Sequence, residues 1–351
     1  MPMLADTVDA VIGVDTHTDT HTAAVVTPLG GCVAVLQVTA DAAGYAQLIR
    51  EAAARAPGPR LAWAVEGCGS HGAGLAAALA AAGQHVSEAA RPRRQDAARD
   101  GKSDELDAVR AARAALARPH LARPRAGDTR EALRIGLVTR EHDARARTAS
   151  VNTFKALILT APEDLRAAFR GAATARQVTA AAALDDAPGH GPARAALHTA
   201  LRRLAARITS LDAALAASRR ELRDLVTAWI PALLDVPGVG PVTAARLLVT
   251  WSHPGRVRSE AAFAALTGTA PLPASSGRSP RHRLSRAGDR AANAALHIIA
   301  IARLRSHAPT IAYAARRRTQ GKTPREIRRC IKRYLARQLY RLMQRSALDN
   351  T

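Results

Sequence analysis

The chain has 351 residues, with 51 Lys+Arg against 29 Asp+Glu and a formal net charge of +22. That length suits two or three domains, and that charge directs the protein toward polyanions, because each phosphate neutralised releases condensed counterions. Aromatics at 3% exclude base stacking as the main mode of binding, and no run approaches the roughly 18 apolar residues of a membrane span.

The preference for Arg over Lys fits a GC-rich coding sequence, but the excess of base over acid does not follow from it. Cys32, Cys68 and Cys330 show no metal-ligand spacing, and an odd count without a framework suits a reducing cytosol. The start, MPMLADTVDAVIGVD, lacks a basic stretch followed by an apolar one, so the expected location is cytoplasmic.

From Val8 to Leu121 strands and helices alternate, which predicts an α/β domain. VDAVIGVD reads as a buried strand, and HTAAVVTPLGGCVAVLQVT as a hairpin turning at Gly30-Gly31. LAWAVEG is a further strand, LAAALAAAG a helix capped by Gly83, and QHVSEAA another strand. From Thr129 to Ile230 the pattern is helical. Leu197, Leu201, Leu204, Ile208, Leu211, Leu215, Leu222 and Leu225 step by fours and threes, with Ser218 filling the skipped position. That heptad seam predicts an antiparallel hairpin or an intermolecular coiled coil, with DDAPGHGP as a loop before it.

From Pro231 onward the chain is basic and helical. LLDVPGVGPVTAARLLVTW reads as helix, tight turn, helix, in which Gly238, Gly240 and the following helix N-terminus are positioned to hold a phosphate. Between Arg303 and Arg345 there are 14 Lys+Arg and one acid, Glu326, a ratio that favours a phosphate-contacting surface over a solvated face.

The acids carry the chemistry. Asp15 ends the first strand and Glu66 ends LAWAVEG, while Asp104 and Asp107 fall in the first turn of the helix KSDELDAVRAARAAL, three residues apart and on one face. Four carboxylates from two strand ends and one helix suit Mg²⁺ ions that clamp an in-line phosphoryl displacement. Each acid also has a plainer reading: a turn residue, a solvated loop acid, or a helix-start acid facing the macrodipole. Asp19, Asp100 and Glu105 are nearby acids outside the pattern. His17 and His21 are weighed as ligands and set aside, since imidazole suits softer metals than Mg²⁺. Downstream, Ser275 and Ser276 precede Gly277 in a loop with Arg278, Arg281, Arg283 and Arg286. Such a serine could attack phosphorus with guanidinium support, although the residues alone favour a flexible Ser/Gly loop or a phosphate-contacting hydroxyl.

The motifs GVDTHTDTH, VEGCGSHGAG, KSDELDA, VPGVGPVTAARLL and GTAPLPASSGRSPRHRLSRAGDRAAN, in this order, resemble the DEDD-type insertion-sequence transposases, which include bridge-RNA-guided recombinases. The resemblance covers nearly the whole chain. It implies a RuvC-like RNase H fold over 1–128 with an Mg²⁺ tetrad of Asp15, Glu66, Asp104 and Asp107. It implies a coiled-coil insertion over 129–230 that oligomerises, and a helical transposase domain over 231–351. The family's nucleophilic serine precedes a glycine, five residues after a proline, which selects Ser276, counted from Pro271, with Ser275 as the alternative. The expected activity is cutting and rejoining of DNA through a composite site, directed by a structured guide RNA, in a dimer or tetramer. Relatives often carry Lys shortly after the first Asp, where this chain has His17-Thr18. A RuvC-like junction-resolving endonuclease and a non-catalytic nucleic-acid-binding protein are the rival readings.

Overall fold

The computed structural model describes residues 3–89, 103–118, 121–185, 191–273, 282–283, 285 and 288–348. The chain divides into two compact units, Met1–Ala126 with His253–Arg258, and Gly127–Ser252 with Ser259–Thr351.

The first unit is built on a mixed five-stranded sheet. Its strands are β1 (Ala10–Thr16), β2 (Thr20–Val26), β3 (Cys32–Thr39), β4 (Leu61–Val65) and β5 (His85–Glu88). Their order is β3-β2-β1-β4-β5, with β1, β2 and β3 antiparallel in succession and β4 and β5 parallel to β1. The β2–β3 turn closes through Thr27 N–H to Gly31 C=O (2.8 Å) and needs the positive φ of Gly30 (86°). Helix α1 (Ala42–Arg55) starts at Asp41, whose side chain accepts from Gly44 N–H. Helix α2 (Ala73–Ala81) is followed by Gly83 at φ 69°, and α3 (Asp104–Leu116) follows β5 in the chain.

Strand alternation divides the side chains between two cores. Ile12, Val14, Ala23, Val25, Trp63 and Val65 pack with Leu48 of α1 and Leu75 and Leu79 of α2. Val11, Ala24, Val26, Ala62 and Ala64 pack with Ala108, Ala112 and Ala115 of α3. The second interface is close because its residues are small. A Cβ on Gly13 would lie 2.1 Å from Ala108 O and 2.5 Å from Ala112 N, so only glycine lets α3 lie against β1.

Residues 253–258 complete this unit. His253 Nε2 lies 3.1 Å from Pro124 O, Arg256 Nη1 donates to Arg123 O (3.1 Å), and Arg256 Nη2 donates to Glu88 at the end of β5 (3.3 Å).

The second unit is helical. Helix α4 (Asp128–Leu159) runs antiparallel to α7 (Pro192–Trp229). Gly136 meets Leu222, Arg140 donates to Ser218 Oγ (2.8 Å), and Arg147 pairs with Asp212. Helices α5 (Glu163–Phe169) and α6 (Thr174–Ala182) close one end of the pair over Phe154, Phe169, Leu201 and Ile208. The heptad seam therefore has a partner within the chain over these positions. Between Trp229 and the next helix the sequence LLDV forms no α-helix, in contrast to the expected helix-turn-helix. Pro231 ends α7 and leaves a 3-10 turn over Pro231–Leu233, because proline cannot donate to the preceding turn.

Helix α8 (Pro241–Trp251) and α9 (Glu260–Leu266) come next, followed by a two-stranded ribbon of β6 (Leu272–Pro273) and β7 (His282–Arg283). Helices α10 (Arg290–Ser306), α11 (Ala308–Thr319) and α12 (Pro324–Leu348) complete the unit. Helix α12 buries Ile327, Ile331, Leu335, Leu339 and Met343, a stripe repeating every four residues.

Candidate metal centre and nucleic-acid surfaces

Asp15 lies on the α3 side of the sheet, in register with Thr22 of β2 and two residues beyond Gly13. Because Gly13 admits α3 so closely, the first turn of that helix reaches the end of β1. Asp15 and Asp104 meet there around His17. His17 Nε2 is 3.2 Å from Asp15 Oδ2 and 3.3 Å from Asp104 Oδ1, and one ligand atom from each of the three lies within 4.8 Å of the others. Among the described residues this is the one His/Cys/Asp/Glu group with that closeness. Asp15 is the more enclosed acid, with its side chain 12% exposed against 45% for Asp104.

The other two acids are adjacent in the fold but outside that group. The β1–β4 ladder continues one residue past the strand, with Glu66 N–H donating to Val14 C=O (2.9 Å). The alternation that sends Ala62 and Ala64 toward α3 assigns Glu66 to the same face. Thr16 Oγ1 donates to Glu66 C=O (3.0 Å), tying the two strand ends together. Asp107 accepts instead from Arg110 Nη1 (2.9 Å) in an i,i+3 pair on α3. Asp19 and Glu105 are exposed and take no part, and Asp100 lies outside the described residues.

The two histidines separate by strand parity. His17 joins the acids, which the sequence reading set aside; its position two residues after Asp15 was the available signal. His21 faces the α1 side, buried and stacked on Tyr45 with centroids 5.6 Å apart. Burial pushes the His21 imidazole below its ordinary pKa. Cys68, just past Glu66, is buried and its thiol is pushed up to about 12, first by desolvation and then by the Glu88 charge.

In the helical unit, Gly238 has φ 83° and sits against Ile299 O and Arg303 of α10, so its glycine is required by the turn and by packing. Arg303 Nε donates to Pro237 O (2.7 Å), anchoring the turn. Gly240 faces open space at the start of α8, where its N–H donates to Thr243 Oγ1 (2.9 Å) and Pro241 supplies no donor. Ser275, Ser276, Arg278, Arg281 and Arg286 lie outside the described residues. Arg283 is on β7, whose pairing with β6 brackets residues 274–281.

An acidic pair on a strand end and helix start, in a basic chain, can hold a divalent cation against a phosphodiester. No helix among the described residues is long and apolar enough to cross a membrane. No curated protein matches the chain. A DEDD-type model named for IS110 and described as Transposase matches residues 12–161, the stretch that carries all four acids. A second model, described as Transposase IS116/IS110/IS902 family, matches residues 231–315, which span the glycine turn and the serine loop. With both models in order along one chain, this protein belongs to the IS110-type DEDD insertion-sequence transposases and is a DNA transposase.

Proposed function

We propose that the chain cuts and rejoins DNA to move an insertion element, using a RuvC-like Mg²⁺ centre in the first unit and Ser276 as nucleophile in the second. The observation that supports this most directly is the meeting of Asp15 and Asp104 at the end of the central strand. Asp15, Asp104, Glu66 and Asp107 would hold the metal. The donor set fits a hard cation, because carboxylate oxygens dominate it and two like charges brought onto one imidazole nitrogen favour a cation between them. When bound, the metal supplies charge stabilisation to a phosphodiester undergoing displacement.

The protein's own groups do the rest. His17 orients the two carboxylates. Arg110 holds Asp107 until substrate competes for it. Ser276 Oγ gives up its proton and attacks phosphorus, breaking the bond to one sugar oxygen, which takes up a proton and leaves as a free hydroxyl; the phosphoserine ester keeps the bond energy until a sugar hydroxyl displaces Ser276 in the rejoining step. Arg278, Arg281, Arg283 and Arg286 bring guanidinium charge to the reacting phosphate. Gly238 serves by shaping the turn and Gly240 by leaving the start of α8 open to a phosphate.

The division 1–128, 129–230 and 231–351 then reads as metal centre, oligomerising coiled coil and serine domain. The α4–α7 pair would form the core of a dimer or tetramer, a structured RNA would choose the DNA sites by base pairing, and the work would be done in the cytoplasm. The test is a plasmid recombination assay with co-purified RNA. Ser276→Ala should abolish both cleavage and joining. Retained cleavage would assign the acids to a water-activating, junction-resolving nuclease instead.

A further inference from the structure

A cavity of about 460 Å³ opens in the helical unit at the base of the β6–β7 ribbon. Its walls are Gly268–Pro271 and Arg283, the flanks of the serine loop, together with cationic side chains of α11 and α12. Arg329, Arg333 and Arg337 recur every four residues and so form one stripe of α12. Arg317 and Lys322 share the lining with them, and the one acid in it, Glu326, is already engaged by Thr323 N–H (2.9 Å) and Thr323 Oγ1 (2.8 Å).

Two features point to a missing ligand. Among the described residues, Arg317 Nε and Arg333 Nη1 are buried N–H donors without an acceptor, an unfavourable state for a buried polar group. An oxyanion seated among these side chains would find guanidinium donors not already spent on the protein. Beside them Tyr334 is 57% exposed although it is large and aromatic, and Tyr313 meets it edge-on at 5.8 Å, which leaves it steadied and uncovered.

We propose that this cavity binds an unpaired nucleotide of a nucleic-acid strand. Its phosphate is held by Arg317 and Arg333, and its base lies on Tyr334. The volume is within the range of pockets that enclose small ligands, and phosphate beside an aromatic face is the pairing that single-strand binding sites use. That the bound strand is the one cut by Ser276 rests on the function proposed above; the pocket itself rests on its own geometry.

The test is fluorescence anisotropy of the full-length chain with a fluorescein-labelled mixed-sequence 20-mer, as single-stranded DNA, single-stranded RNA and duplex DNA. Arg333→Gln should weaken single-strand binding about tenfold and reduce the salt slope by about 0.7, the value of one phosphate contact. Tyr334→Ala should cost about tenfold on single strands and little on duplex, and Tyr334→Phe should bind like the parent. The two single-stranded probes identify which strand the pocket prefers. Arg176→Gln, a charge change at an exposed position of α6, outside both the cavity lining and the basic run of 303–345, is the control. An equal loss in Arg176→Gln and Arg333→Gln would overturn the proposal, as would unchanged binding in Arg333→Gln. If Arg333→Gln melts early, Arg333→Lys is read in its place, since it keeps the charge and loses the fork; binding at the parent's strength would count against the pocket. Ser276→Ala should bind as the parent does. Loss of recombination in Ser276→Ala with normal binding in the pocket variants would refute the pocket and leave the serine chemistry standing. The reverse pattern would refute the serine and leave the pocket.

Discussion

Gly13→Ala tests the geometric basis of the candidate metal centre without touching any acid. The added Cβ would lie 2.1 Å from Ala108 O, 2.5 Å from Ala112 N and 2.9 Å from Ala112 Cβ. Ordinary contact begins near 3.4 Å, so α3 or β1 must move by about 1.3 Å, and the obstructing atoms are helix backbone that cannot rotate away. Overpacking of this kind costs about 1–3 kcal/mol, which corresponds to a drop of roughly 3–15 °C in the melting of the first unit. The same displacement carries Asp104 away from Asp15. A misplacement of about 1 Å at a reacting centre costs on the order of a hundredfold in rate. Two assays separate the effects: thermal unfolding by circular dichroism, and metal-dependent DNA strand cleavage at a temperature where the variant is fully folded. Cleavage within twofold of the parent in a folded Gly13→Ala protein would show that the approach of α3 to β1 does not set the site.

Other expected outcomes follow from local chemistry. Asp15→Asn should weaken Mg²⁺ or Mn²⁺ binding by calorimetry while leaving metal-free stability equal or higher, since it removes one of two clustered charges. Trp63 is fully buried and its indole N–H donates to Gln84 Oε1 (3.0 Å), so Gln84→Leu should cost about 1–3 kcal/mol in urea unfolding. His21 has a lowered pKa in the folded chain, so the unfolded chain binds the extra proton. Stability is present above about pH 6.5 and declines as pH falls toward the folded value, and His21→Phe should flatten that slope in urea midpoints measured from pH 7.5 to 5. Iodoacetamide at pH 8 should label exposed Cys32 in the native protein and reach Cys68 only after unfolding, as read by mass spectrometry.

Features fixed by neighbouring residues were legible in the sequence. The alternation through VIGVD, the glycines at the β2–β3 turn, Gly83 after α2 and the acids opening α3 are local signals, and each element stands where its signal placed it. Features fixed by packing were not. His17 joins the acids because β1 ends beside α3, and hard-metal preference argued against it. Asp107 shares a helix face with Asp104 but is taken up by Arg110, a competition between two i,i+3 partners that spacing alone does not decide. The heptad seam of α7 was visible, whereas its partner α4 was not, since a seam records that something covers it and not what does. The basic cavity also escaped, because a charge run reads as a surface until its donors are found buried.

The insertion of residues 253–258 into the first unit has a consequence for the order in which the protein matures. Arg256 reaches the end of β5 only after the ribosome has made residues 127–252, an interval of about 6–25 s at ordinary elongation rates. The first unit therefore waits for a clasp encoded far downstream. A nascent chain that stalled before Arg258 would carry the sheet and its acids without that fastening, so the half of this transposase that bears Asp15 and Asp104 is fastened only after most of the chain exists.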